Sequence, residues 1–216
     1  MGFIAFIKWL FGIKTIVPDT VKVPSTPAPQ IEVVSPVIAT TAKRPYMTTP
    51  MVKLLSLIRL HESGSAGYNA DYANNNHWKL TDKTFDQVRT LARSQVTHGE
   101  KSSAIAAYQF LTTTLDSLKV SLKLKGTEVF DEVFQDDLAV ALMIRRGYTT
   151  YMSGAITAEV FCNRLAMEWA SLPVVTPVKG AHRQLKAGQS YYAGDGLNAA
   201  LHKPAVILNA VRALRV

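Results

Sequence analysis

The chain has 216 residues, 48% of them hydrophobic, with Trp, Tyr and Phe spread along it, enough for one domain of ordinary size plus an appendage. A formal charge of +8 and a pI near 9.6 favour polyanions in general: nucleic acid, anionic membrane or the anionic bacterial wall. The longest basic run after residue 50 is Arg145-Arg146 and no zinc-finger or RNP-like string occurs, which argues against nucleic acid, and a single cysteine, Cys162, excludes an internal disulfide.

Residues 2–17, G-F-I-A-F-I-K-W-L-F-G-I-K-T-I-V, are apolar apart from Lys8 and Lys14 and are stopped by Pro18 and Asp19. As a helix they would reach about 24 Å, short of the ~30 Å hydrocarbon core of a bilayer. The lysines lie inside and after the apolar run and no A-x-A site follows, unlike a secretory signal. Phe3, Phe6, Ile7, Leu10, Phe11 and Lys14 fit a helix lying in the membrane interface. Residues 1–17 are therefore expected to be a membrane-associating or signal-anchor-like segment. Residues 18–50 hold Pro18, Pro24, Pro27, Pro29, Pro36, Pro45 and Pro50 among Thr, Val and Ser, the composition of an extended semi-rigid linker. The folded domain is expected over 51–216.

Its first helix reads M-V-K-L-L-S-L-I-R-L-H-E-S, with Met51, Leu54, Leu55, Ile58 and Glu62 on one stripe. Thr48 or Thr49 can cap it, Pro50 suits its first turn, and Gly64 can stop it. Glu62 thus leaves the core-facing stripe at the helix end, where a carboxyl should be half buried and half wet, a setting that raises its pKa. The loop G-Y-N-A-D-Y-A-N-N-N-H-W-K-L has turn formers and no helical period, which predicts a small hairpin or an irregular lobe. Thr84 and Gln87 make a capping-box pattern opening a helix that ends near His98-Gly99. Leu111, Leu115, Leu118 and Leu122 predict another, stopped by Gly126. Further helices are expected from Asp131 to Gly147, from Thr157 through Trp169 to Pro173, and from Pro204. Cys162 falls on the stripe of the second of these, as a small buried apolar residue rather than a reactive thiol.

The blocks L-H-E-S-G, S-S-A-I-A-A-Y-Q-F-L, F-D-E-V-F-Q-D-D-L-A-V-A-L-M-I-R-R-G-Y, E-W-A-S-L-P and S-Y-Y-A-G-D-G-L-N stand in an order and spacing that resemble phage endolysins of the phage lambda lysozyme type, among the lysozyme-like muramidases. The resemblance runs from about Pro50 to Val216. It implies an α+β, predominantly helical, lysozyme-like two-lobed domain with a small β-containing lobe and a cleft between the lobes. It implies an enzyme that cuts the β-1,4 bond between N-acetylmuramic acid and N-acetylglucosamine of peptidoglycan, made in the infected cell and acting on the periplasmic wall in host lysis. A virion-associated lysozyme-like protein that opens or binds the wall during entry, with other virion proteins as partners, is the alternative. Glu62 matches the catalytic acid. Tyr108 and Gln109 match the family's Y-Q, which lines the sugar cleft, although Ala106-Ala107 replaces the Gly-Arg before it. Tyr68, Ser103, Tyr191 and Tyr192 are the other substrate-binding candidates.

A phenol and an amide suit sugars through an apolar face and hydrogen bonds. Asp71, Asp82, Asp86 and Glu100 are the available second carboxylates, and spacing singles out none of them. Enzymes of the lambda type are lytic transglycosylases with no second catalytic carboxylate, so the resemblance implies a one-acid mechanism. The five histidines show no H-E-x-x-H spacing and there is no C-x-x-C, G-x-S-x-G, P-loop or dinucleotide fingerprint, so neither metal nor cofactor is expected.

Overall fold

Helix α1, Thr49–Glu62, opens with the Thr48 side chain accepting from the Met51 amide and Pro50 in the first turn, and it closes where Gly64 turns to φ 54°. Met51, Leu54, Leu55, Ile58 and Glu62 are its buried residues, the stripe expected from their spacing. The structure, a computed structural model, describes residues 44–196 and 198–216. The expectations for the apolar segment 1–17 and for most of the linker 18–50 lie outside the described residues. Arg44 and Tyr46, at the end of that stretch, both hydrogen-bond Asp137. Among the described residues no helix is long and apolar enough to cross a membrane.

The segment after Glu62 takes the irregular alternative. It runs through short 3-10 turns at Gly64–Asn69, Tyr72–Asn74 and Leu80–Asp82. Helix α2, Phe85–Thr97, starts with the expected Thr84/Gln87 capping box and ends at His98 and Gly99, φ 95°. Helix α3, Thr112–Ser121, is shorter than expected. Lys123 takes the left-handed conformation at φ 54°, and the Lys123 and Leu124 amides bond back to Val120 and Lys119, so the helix closes three residues before Gly126. Gly126, at φ 97°, holds a left-handed conformation that favours glycine, with the Asp86 carboxylate close against it.

Helix α4, Glu132–Arg145, is capped by Asp131 and followed by Gly147 at φ 101°, after which a short α5, Tyr148–Met152, packs Tyr151 on Phe161. Helix α6, Ala158–Leu165, starts at Thr157 as expected but stops well before Trp169. The next amides bond three residues back, Met167 to Arg164 and Glu168 to Leu165. There Glu168 turns inward, 2% exposed, and Arg145 at the end of α4 and Arg146 just after it hold its carboxylate. The antiparallel pair β1, Val178–Lys179, and β2, Gln184–Leu185, follows α6. The β structure of this predominantly helical α+β chain is therefore far in sequence from the loop after Glu62. Helix α7, Pro204–Arg212, begins at Pro204 and packs on α1 and α6.

An aromatic group of Phe85, Phe110, Phe130 and Phe134 fills the space between α2, α4 and the 105–110 turn. Cys162 is fully buried, and burial pushes its thiol up to about 12, the behaviour of a small apolar core residue.

Outside that core, Lys119 and Arg89 hold the Asp86 carboxyl below its ordinary value, and Arg89 and Arg93 do the same for Asp116 although burial opposes them. A depressed folded-state pKa contributes stability that is present above the unfolded value and lost as pH falls through the folded one. The Tm deficit of Asp116→Asn relative to wild type should therefore be largest above pH 3.8, the ordinary carboxyl value, and shrink below it. A deficit that is constant from pH 6 to pH 2.5 would show that the ion pairs contribute nothing.

Candidate active site

Glu62 is 4% exposed, drier than its position at a helix end implied. The cause is the turn after α6, which brings Ser171 over the carboxyl: its Oγ donates to Glu62 Oε1 at 2.6 Å and its backbone N–H to the same oxygen at 3.3 Å. Burial disfavours a carboxylate while the two Ser171 donors favour it, so Glu62 stands between opposing influences.

One helical turn before Glu62, Arg59 points its guanidinium into a second cluster. Nη1 donates to the Tyr108 hydroxyl at 2.7 Å and to Asp136 Oδ1 at 3.0 Å. Tyr68 and Tyr108 both donate their hydroxyls to the same Asp136 oxygen. Burial works against the Arg59 charge, yet Tyr108 and Asp136 hold it above its ordinary value. Burial followed by the Asp136 charge raises both tyrosines, so both remain neutral phenols. Arg59 thus places a cation beside Tyr108.

The turn carrying Tyr108 and Gln109 is tight. Ala106 and Gln109 have φ of 69° and 47°, Ile105 and Phe110 pair across it, and Ala106 donates to Ala70. Ala106 occupies a left-handed position that glycine adopts without strain. Gln135 of α4, fully buried, locks this turn to its neighbours: its side chain accepts from the Ala107 amide and donates to the Tyr68 and Phe130 carbonyls.

Among the sequence candidates, the structure joins Tyr68 and Tyr108 in one hydrogen-bonded cluster. The Tyr108 ring is only 2% exposed and packs 6.3 Å from that of Trp169, so it offers no open face to a ligand. Gln109 is 6% exposed and turns its amide back to Ala106, and the Ser103 hydroxyl accepts from the Thr112 amide, opening α3. Tyr191 and Tyr192 meet edge to face at 5.3 Å beyond the β pair. The Tyr192 hydroxyl donates to Met167, and burial pushes it up to about 12, while Tyr191 keeps a partly exposed ring.

Three of the four candidate second carboxylates are engaged, and the fourth, Glu100, is exposed just after α2. Asp71 is buried and accepts from both the amide and the ring of His77. Asp82 pairs with Lys79, and Asp86 with Lys119 and Arg89. Among the described residues no group of His, Cys, Asp and Glu has the arrangement of a metal site. Ser171, Arg59, Asp136 and Gln135 were not singled out from sequence. Ser171 lay in the E-W-A-S-L-P block, Gln135 and Asp136 in the F-D-E-V-F-Q-D-D-L block and Arg59 one turn before the acid, and each could have been found there.

A family model described as Endolysin matches residues 52–198, about two thirds of the chain, and so takes in Glu62, Arg59, Tyr108, Asp136 and Ser171. The chain belongs to the endolysin family. No curated protein and no solved structure matches it. As a phage endolysin it is made in the infected cell and breaks down the peptidoglycan of the host wall.

Proposed function

We propose that this endolysin is a muramidase of the lytic transglycosylase kind, with Glu62 as the single acid and base on the bond between N-acetylmuramic acid and N-acetylglucosamine. The observation that supports it most is Glu62 itself: a carboxyl at a helix end, 4% exposed, held on one oxygen by Ser171. Such a group must deliver a proton and then take one up. Burial favours the first state and the Ser171 donors the second, which suits a shuttle.

In this mechanism Glu62 protonates the glycosidic oxygen as its bond to the muramyl C1 breaks. The muramyl 6-hydroxyl then attacks C1 and returns its proton to Glu62, closing a 1,6-anhydro ring with no water consumed. A hydrolase would usually need a second carboxylate about 5–5.5 Å or 6.5–9.5 Å from the acid, according to stereochemistry. The engagement of Asp71, Asp82 and Asp86 with basic partners speaks against each of them in that role. We place Glu62 in a cleft between lobes, with Tyr68 and Tyr191, both partly exposed, as its aromatic lining.

Mass analysis of the soluble wall fragments tests the reading. Anhydromuramyl ends with no new reducing ends are expected, with activity retained in Asp82→Ala and Asp86→Ala. Reducing-end products from the wild type, together with loss of activity in a folded Asp71, Asp82 or Asp86 variant, would make it a two-carboxylate hydrolase.

A further inference from the structure

The segment between the turn that holds Glu62 and the Tyr191-Tyr192 pair is cationic throughout. From Trp169 to Gly194 there is no Asp or Glu, while Lys179, Arg183 and Lys186 stand exposed on and beside the β1–β2 hairpin with His182 at its tip. None of the three cations has a carboxylate partner among the described residues. The nearest acid downstream, Asp195, is turned to Asn198.

The hairpin is anchored rather than loose. Pro173 bridges to Ser190, Val174 donates to Gln189 and Gly188 to Val174, and Ala181 at the tip donates to Tyr191. Asn163 of α6 fixes the rising limb by accepting from the Val175 amide and donating to Thr176. Gly180 is closed in by the Leu185 side chain and the Tyr191 carbonyl, and a Cβ there would lie 2.4 Å from Leu185 Cδ1. Three unpaired cations are thus held on a fixed support whose base begins two residues after Ser171.

We propose that this hairpin is a substrate-recognition element that grips the carboxylates of the peptidoglycan stem peptides. The proposal rests on Glu62 marking the place where the glycan is cut. From Ser171 to Lys179 is eight residues, at most about 28 Å of extended chain, and a four-residue stem peptide spans up to about 14 Å. The base of the hairpin at Pro173, two residues after Ser171, lies within that reach of a sugar at Glu62, and its cations stand farther along the same element. The free carboxylates of the stem peptide are the anions that a cluster with no acids would attract, and such charges set encounter and orientation more than turnover.

The test uses the full chain with K179S, R183S and K186S combined, against a control with the same charge change elsewhere, K53S, K123S and K125S. All six side chains are exposed, so thermal midpoints should stay close to wild type. On purified peptidoglycan the hairpin variant should need about tenfold more substrate for half-maximal rate with maximal rate kept, or ~1.4 kcal/mol shared over three exposed pairs. The control should shift little, and on peptidoglycan with amidated carboxyls the hairpin variant and wild type should converge. Equal half-saturation for hairpin variant and wild type overturns the proposal, as does an equal shift in the control. A hairpin effect that persists after amidation overturns it too, by assigning the surface to a different anion. Co-sedimentation of the same charge changes in a Glu62→Gln background reads binding without turnover, so failure of the Glu62 mechanism remains distinguishable from failure of the hairpin.

Discussion

Glu62→Gln should give a folded protein that clears peptidoglycan about 10² to 10⁴ times more slowly than wild type, the usual contribution of a positioned general acid. The amide oxygen can still accept from the Ser171 hydroxyl and amide, so the packing of the turn after α6 onto α1 should survive the change. What it cannot do is hand a proton to a leaving sugar oxygen. Turbidity loss of purified walls together with a thermal melt separates the two effects. A variant that melts like wild type and clears walls at the wild-type rate would remove Glu62 from the mechanism.

The largest loss of stability is expected at Gln135→Leu. Leucine fills the volume but leaves the Ala107 amide and the Tyr68 and Phe130 carbonyls without the partner they now share. Buried groups deprived of a hydrogen bond cost about 1–3 kcal/mol each, so a loss on the order of 3 kcal/mol or more follows. The cost falls on the walls of the candidate site, because Gln135 is what joins the Tyr68 turn, the Tyr108 turn and α4. Urea unfolding measures it directly. A midpoint within the error of wild type would mean that these backbone groups find other partners and that Gln135 is not the lock.

Much of the domain was legible before its structure, and for local reasons. Thr48, Thr84, Asp131 and Thr157 cap helices where their spacing to the first apolar residues implied, and Pro204 opens the last one. These are interactions across three or four residues, which a sequence displays directly. The misplaced features depend on distant residues. Where α6 ends, Glu168 turns in to two arginines more than twenty positions away. The two-residue strands are too short to show an alternating pattern, and their pairing depends on Tyr191 and Leu185 closing around Gly180. The same holds at the site. Glu62 was visible as the end of an apolar stripe, whereas Ser171, which encloses it, is 109 residues away.

That separation governs when the protein acquires its chemistry. Helix α1 is among the first parts of the domain to leave the ribosome, yet the group that covers its terminal carboxyl is made only after α6, and the α7 that packs on α1 comes later still. Contacts so remote in sequence form late, because a long loop must close before they can form. An unfinished chain released before Ser171 would carry Glu62 with its Ser171 partner missing. The proposed catalytic centre is therefore completed by the last quarter of the chain, and its assembly coincides with completion of the domain.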